Sequence, residues 1–293
     1  GIDSENVTML EPALLLFVED FKLKEDDLRK LDADAMAADV LLIDPSGSSV
    51  ATYDLAARYK KPVVIAWGLN CRTVDISAYC RSKGHEVFIP DSKSGISDIM
   101  ALLRARKILA NTRILYPTDW GWPSVASVAG INEPYALKEK FGTELKRISY
   151  AELSSAVDAT KKNSAELRMA SEMAEAVYKN AEKSYLDKQY VVRSMEFYLA
   201  VTDLMNKHNC NAFTIECFEF CTSRLPQKWQ ITPCLIHTMF KDMGISSACE
   251  GDLGGLLSMN LLMSISKKSS HFGNMFMREN GVMEINHSVP GIR

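Results

Sequence analysis

Carboxylates, a histidine and a cluster of glycines gather toward the C-terminal end of the chain. The densest stretch is Ala248-Cys249-Glu250-Gly251-Asp252-Leu253-Gly254-Gly255-Leu256-Leu257-Ser258-Met259. Before it, Gly244-Ile245-Ser246-Ser247 reads as a short strand. After it, Leu256, Leu257, Asn260, Leu261 and Ile265 carry a helical apolar period. Glu250 and Asp252 therefore fall in a strand-to-helix turn loosened by Gly251, Gly254 and Gly255. In an α/β protein such a turn lies at the carboxyl end of a strand, where ligands bind. Glycine lets backbone approach a ligand closely, and a helix N-terminus favours negative charge. Asp252 is also placed to act as the helix N-cap. Glu250 follows the apolar run, has no capping duty, and is the candidate functional carboxylate. Upstream, Glu216 ends the apolar run Asn211-Ala212-Phe213-Thr214-Ile215. If the two strands are neighbours, as sequential strands often are, Glu216 and Glu250 share one cleft. Otherwise Glu216 is a solvent-facing residue at a loop start. Downstream, His287 closes a strand and is either a structural histidine or a ligand.

The elements that must position these groups are legible as alternating strands and helices. Segments at 13–18, 40–43, 63–67, 86–89, 113–116 and 145–148 read as strands, the first three continuously apolar. Helical segments at 24–31, 53–59, 73–82, 97–109 and 134–141 lie between them. This alternation implies a parallel, doubly wound sheet with helices on both faces. From 150 to about 207 the sequence is rich in Ala, Glu, Lys and Arg and lacks Gly and Pro, which predicts two or three long amphipathic helices. A second α/β unit follows, built on the strand at 211–215 and the carboxylate turn. After Lys267 the pattern changes to two strands, 272–277 and 282–286, around Arg278-Glu279-Asn280-Gly281, and Asn-Gly is a hairpin signal. The expected fold class is α/β, with parallel doubly wound units in both halves and a hairpin after them. The expected divisions are 1–149, 150–268 and 269–293.

Composition excludes several classes. At 293 residues the chain is long enough for a large core and two domains. Its net charge is −3, and no basic run interleaves with aromatics, so nucleic acid is a poor partner. No apolar run is long enough to span a bilayer, and no signal peptide opens the sequence. Asp44-Pro45-Ser46-Gly47 lies at a strand end but lacks a G-x-G-x-x-G fingerprint, so no nucleotide is expected. Trp120-Gly121-Trp122-Pro123 reads as a packed loop or an aromatic platform for a sugar. The seven cysteines form no Cys-x-x-Cys pair, and Cys217 and Cys221 have no nearby histidine to complete a zinc site. They read as reduced thiols of a cytoplasmic protein.

Taken together, Ala248-Cys249-Glu250-Gly251-Asp252 with its Gly/Leu helix, the strand Phe272-Gly273-Asn274, and the later strand ending in His287 resemble the L-fucose/L-arabinose isomerase superfamily, closest to its fucose isomerase-like members. The upstream runs Ala38-Asp39-Val40-Leu41-Leu42-Ile43 and Lys61-Pro62-Val63-Val64-Ile65-Ala66-Trp67 agree with that layout, as does Phe141-Gly142 before a strand. The resemblance implies a cytoplasmic, homo-oligomeric, Mn²⁺-dependent enzyme of carbohydrate metabolism that interconverts aldoses and ketoses, built of two Rossmann-like doubly wound domains and a third, β-rich C-terminal domain of which 269–293 would be the start. Its substrate would be a 6-deoxyhexose or a pentose. Glu250 matches the glutamate that binds the metal and moves the proton. The slot of the second catalytic and metal-binding carboxylate falls on Asn274, and His287 matches a metal-region histidine. Glu216 and Asp252 are supporting candidates for substrate binding. A further family histidine belongs to a C-terminal domain beyond Arg293, so the natural product is expected to be longer, or its hairpin edge to be covered by a partner.

Moving a proton between C1 and C2 of a sugar passes through an enediol. It needs a base for a weakly acidic carbon proton and a divalent cation for the two oxygens. Asparagine at position 274 keeps a neutral oxygen ligand but cannot carry a proton. A non-catalytic sugar-binding paralogue is therefore the alternative expectation. A two-domain ligand-binding protein, like a cytoplasmic cousin of periplasmic sugar receptors, is the third.

Overall fold

The computed structural model describes residues 25–44, 49–66, 68–121, 131, 133 and 135–291. The expected strand at 13–18 lies outside these residues, as do 45–47 of the first strand-end turn, Trp67, and Trp122 and Pro123 of the aromatic loop. The protein is an α/β structure with two parallel sheets and one antiparallel hairpin. It divides into two compact units, 1–103 and 104–293.

The first unit alternates α1 (Glu25–Ala37), β1 (Leu41–Ile43), α2 (Ser49–Tyr59), β2 (Val63–Ile65), α3 (Cys71–Ser82) and β3 (Val87–Phe88). Its sheet has the order β1-β2-β3, all parallel. Successive strand residues point to opposite faces. Accordingly, Val63 and Ile65 pack with Leu28, Leu55, Ala56 and Ile76 on one face. Val64 between them packs with Ile96 and Leu103 on the other. Helices on both faces are what an all-buried parallel strand needs.

Helix α4 (Lys93–Ala110) runs through the division between the units. The second unit continues with β4 (Arg113–Pro117), α5 (Tyr135–Phe141), β5 (Glu144–Ile148), α6 (Tyr150–Thr160), α7 (Ser164–Asn180) and α8 (Lys188–Lys207). Then follow β6 (Ala212–Thr214), α9 (Cys217–Thr222), α10 (Leu225–Trp229), α11 (Cys234–Asp242), β7 (Ser246–Ala248) and α12 (Leu253–Ser266). The hairpin is β8 (Asn274–Met277) and β9 (Met283–Asn286). The parallel sheet has the order β5-β4-β6-β7. Leu115 and Phe213 face a cluster with Leu153, Phe197, Phe220, Trp229 and Phe240. Their neighbours Ile114 and Ala212 face the opposite cluster, with Leu253, Leu256 and Met259 of α12.

One expectation differs from this arrangement. The division near Ser149 would separate β4 and β5 from β6 and β7, yet all four strands lie in one sheet. Of the two or three long helices expected over 150–207, three are present, and α6 and α8 pack back onto that sheet through Leu153, Val157, Phe197 and Val201. They are an excursion from the sheet, and the compact units part at 103/104 instead. Among the described residues no helix is long and apolar enough to cross a membrane.

Candidate functional site

Because every strand of the second sheet is parallel, their carboxyl ends share one edge. Thr214 pairs with Ala248 in the β6–β7 register. Glu216 and Glu250 therefore each stand two residues beyond a paired position, on adjacent strands. Two hydrogen bonds hold these ends together. The Thr214 hydroxyl donates to the Ala248 carbonyl at 2.8 Å, and the Gly251 N–H donates to the Ile215 carbonyl at 3.0 Å.

The turn after β7 is strained. Glu250 has φ 61° and Gly251 has φ 64°. The left-handed region suits Gly251 but costs a residue with a Cβ about 1 kcal/mol. Strain of this kind persists where surrounding structure imposes it, and it clusters at functional sites. Asp252 then caps α12, its carboxylate accepting from the Gly255 N–H at 2.8 Å. That carboxylate, expected to serve substrate, is engaged in the cap.

His287 reaches the same turn from the hairpin. Its Nε2 lies 3.5 Å from Glu250 Oε1, and its side chain is 8% exposed against 37% for Glu250. The imidazole packs on Phe272 with ring centroids 5.1 Å apart. Phe272 sits so close to the first turn of α12 that a Cβ on Gly255 would lie 2.4 Å from its ring. Only glycine lets the hairpin dock there. Beyond His287, the carbonyl of fully buried Val289 accepts from the buried Lys241 amine on α11. Burial pulls that amine down to about 8. The C-terminal segment is thus anchored on both sides of the histidine. Asn274 starts β8, is exposed, and pairs across the hairpin with Asn286, the residue before His287.

The ligand atoms of Cys249, Glu250 and His287 all lie within 4.8 Å of one another. Cys249 is buried, and its sulfur is 3.0 Å from that of half-buried Cys217. Sharing one S–H between them lowers the Cys217 thiol and raises that of Cys249, whose burial pushes it further up.

Beneath this cluster lies a buried polar layer. Glu216 is completely buried. One carboxylate oxygen accepts from the Phe218 N–H at 3.0 Å, while Oε2 has no partner among the described residues. Burial, with added repulsion from Glu250 and Glu219, pushes its carboxyl up to about 7, against the pull of the Phe218 N–H. Glu219, one turn further along α9, is also buried and is fully engaged. It accepts from the Thr118 hydroxyl at 2.6 Å and from the Asp119 and Trp120 N–H groups at 2.5 and 2.8 Å. It fixes the turn after β4, where Asp119 in turn accepts from the Tyr150 N–H at 3.0 Å. The hydroxyls of Tyr116 and Tyr150 are buried beside these carboxylates, and burial raises both.

The structure therefore brings Glu250 and His287 together and sets Glu216 on the adjoining strand end. Sequence reasoning gave no role to Cys249, Cys217, Glu219, Tyr116 or Tyr150. Cys249 could have been noted as the neighbour of Glu250, and Glu219 as the i+3 residue that shares a helical face with Glu216. No such signal marks the tyrosines.

The donor chemistry fits a divalent cation. A carboxylate with an imidazole suits Mn²⁺, while a thiol as third donor shifts preference toward Zn²⁺. Supporting this, the His287 Nδ1 and Glu216 Oε2 are buried and have no hydrogen-bond partner among the described residues. No protein-family model matches the chain, and no curated protein matches it.

Proposed function

We propose that this chain is a metal-dependent ketol isomerase of the fucose/arabinose isomerase type, acting on a 6-deoxyhexose or pentose in the cytoplasm as a homo-oligomer. Its two units would be Rossmann-like, with the hairpin opening a β-rich region. The observation that carries the proposal is the convergence of Glu250, His287 and Cys249 at the carboxyl edge of a parallel sheet, with a protonatable Glu216 beside them.

Glu250 and His287 would hold the ion, with Cys249 or the Asn274 amide oxygen completing the set. A divalent cation bound there supplies Lewis-acid polarisation of the sugar oxygens that gain charge during enolisation. Glu250 takes the carbon-bound proton and returns it to the neighbouring carbon. Glu216, fully buried beside Glu250 and poised near neutrality, would relay a proton through water without touching the sugar, a duty a group titrating near the working pH performs best. The buried Tyr116 and Tyr150 hydroxyls flank Glu216 and Glu219 from within the fold. Glu219 acts as a positioning residue by holding the turn after β4.

A second reading is a sugar-binding protein without turnover. Asn274 favours it, because an amide at that slot cannot relay a proton. An aldose screen for ketose formation, with metal-stripped protein and with added Mn²⁺ or Zn²⁺, decides between the two. Turnover that needs metal and disappears in Glu250→Gln supports the isomerase. Sugar binding without turnover supports the second reading, and neither binding nor turnover across the panel removes both.

A further inference from the structure

We propose that Cys217 and Cys249 are a redox-modification site: an oxidant joins them in a reversible disulfide that latches the two strand ends of the cluster and withdraws the Cys249 sulfur from it. The sulfurs stand 3.0 Å apart. A disulfide needs a separation near 2.05 Å, so closure calls for about 1 Å of side-chain movement. The backbone around the pair is already fixed, by the Thr214–Ala248 pairing and by the Gly251 N–H on the Ile215 carbonyl. The two thiols also differ in access. Cys217 is half-buried and meets the oxidant, while Cys249 is buried and serves as the resolving thiol. This bond formation does not depend on any metal reading of the site.

With a peroxide as oxidant, the Cys217 sulfur attacks one peroxide oxygen. The O–O bond breaks, giving a sulfenic acid and one water. The Cys249 sulfur then attacks the sulfenic sulfur, the S–O bond breaks, and the leaving hydroxide takes the Cys249 proton as a second water. Two thiols lose two electrons and two protons, and the peroxide is reduced to two waters. A low-molecular-weight dithiol reverses the bond. Cys249 contributes one of the three ligand atoms that lie within 4.8 Å of one another, so oxidation removes a donor from the cluster.

The test uses the full chain, treated with hydrogen peroxide, blocked with an alkylating reagent and digested with trypsin without reduction. Cys217 lies in the peptide 208–224 and Cys249 in 242–267. The expected product is those two peptides joined, lighter by two hydrogens than their sum. Dithiothreitol separates them, and the product is absent from both Cys217→Ser and Cys249→Ser. It persists in Cys210→Ser, Cys221→Ser and Cys234→Ser. Because Cys249→Ser alters a buried position, Cys217→Ser at its half-buried site is the decisive variant. Persistence of the link in Cys217→Ser overturns the proposal. So does a link to the peptide 229–241, which carries Cys234, in place of the expected one. Full alkylation of both thiols at peroxide levels that oxidise exposed Cys71 and Cys221 overturns it as well.

Discussion

Glu216→Gln should change the pH dependence of stability in a defined direction. In the folded protein this carboxyl is raised from 4.5 to about 7, first by burial and then by the neighbouring carboxylates. The native state therefore holds its proton more tightly than the unfolded chain. Below pH 4.5 both states are protonated and there is no penalty. Between 4.5 and 7 the unfolded state ionises while the native state resists, so stability falls as pH rises. Above 7 the whole cost is present. A difference of this size corresponds to about 3 kcal/mol at 1.36 kcal/mol per unit, an order-of-magnitude figure. The glutamine keeps an oxygen for the Phe218 N–H but cannot ionise, so this contribution disappears. Urea unfolding, followed by tryptophan emission, to which Trp229 buried beside Phe197 and Phe220 contributes, should give nearly equal stabilities near pH 5 and an advantage for the variant by pH 8. Any constant offset from the buried amide cancels in the slope. A wild-type-minus-variant difference that stays flat from pH 5 to pH 8 would refute the reasoning.

Three further outcomes follow from the geometry. Glu250→Gly removes a Cβ from a left-handed position at φ 61° and one charge facing Glu216, so it should stabilise the fold by about 1 kcal/mol in urea unfolding while reducing divalent-ion binding. Gly255→Ala places a methyl 2.4 Å from the Phe272 ring; despite alanine's helix propensity it should cost about 1–3 kcal/mol, and metal affinity should fall as His287 shifts with Phe272. Gly254→Ala, whose Cβ meets the Asp252 side chain at 3.3 Å, is the milder control, and urea unfolding of both variants reads the difference. Lys241→Met removes the donor on the Val289 carbonyl and should weaken metal binding in calorimetry without emptying the site, because Glu250 and Cys249 stay in place.

Parts of this arrangement follow from local pattern. Apolar runs such as 114–116 and 63–65 must be buried on both faces, and alternation with helices makes the strands parallel. Once they are parallel, chain direction alone puts Glu216 and Glu250 on one edge. The Asn-Gly hairpin is equally local, since Gly281 at φ 76° supplies the turn the dipeptide signals. What local pattern lacks is distance information. β4 pairs with β6 across the whole α6–α8 excursion, so a boundary at 149 looked natural where one sheet runs through. Glu219 resembles any helix-surface glutamate until Thr118, Asp119 and Trp120 arrive from about a hundred positions upstream. The Cys217–Cys249 contact spans 32 positions and has no spacing rule. Asp252 shows the reverse case, where the modest capping role visible in the sequence is the one the structure displays.

The most direct test of the central claim is a calorimetric titration of the metal-stripped chain with Mn²⁺ and with Zn²⁺, run beside Glu250→Gln and His287→Ala. The account predicts one ion per chain in the wild type and a loss of about ten- to a hundred-fold or more in affinity in each variant. Binding of equal strength in all three proteins, or none in any, would contradict it.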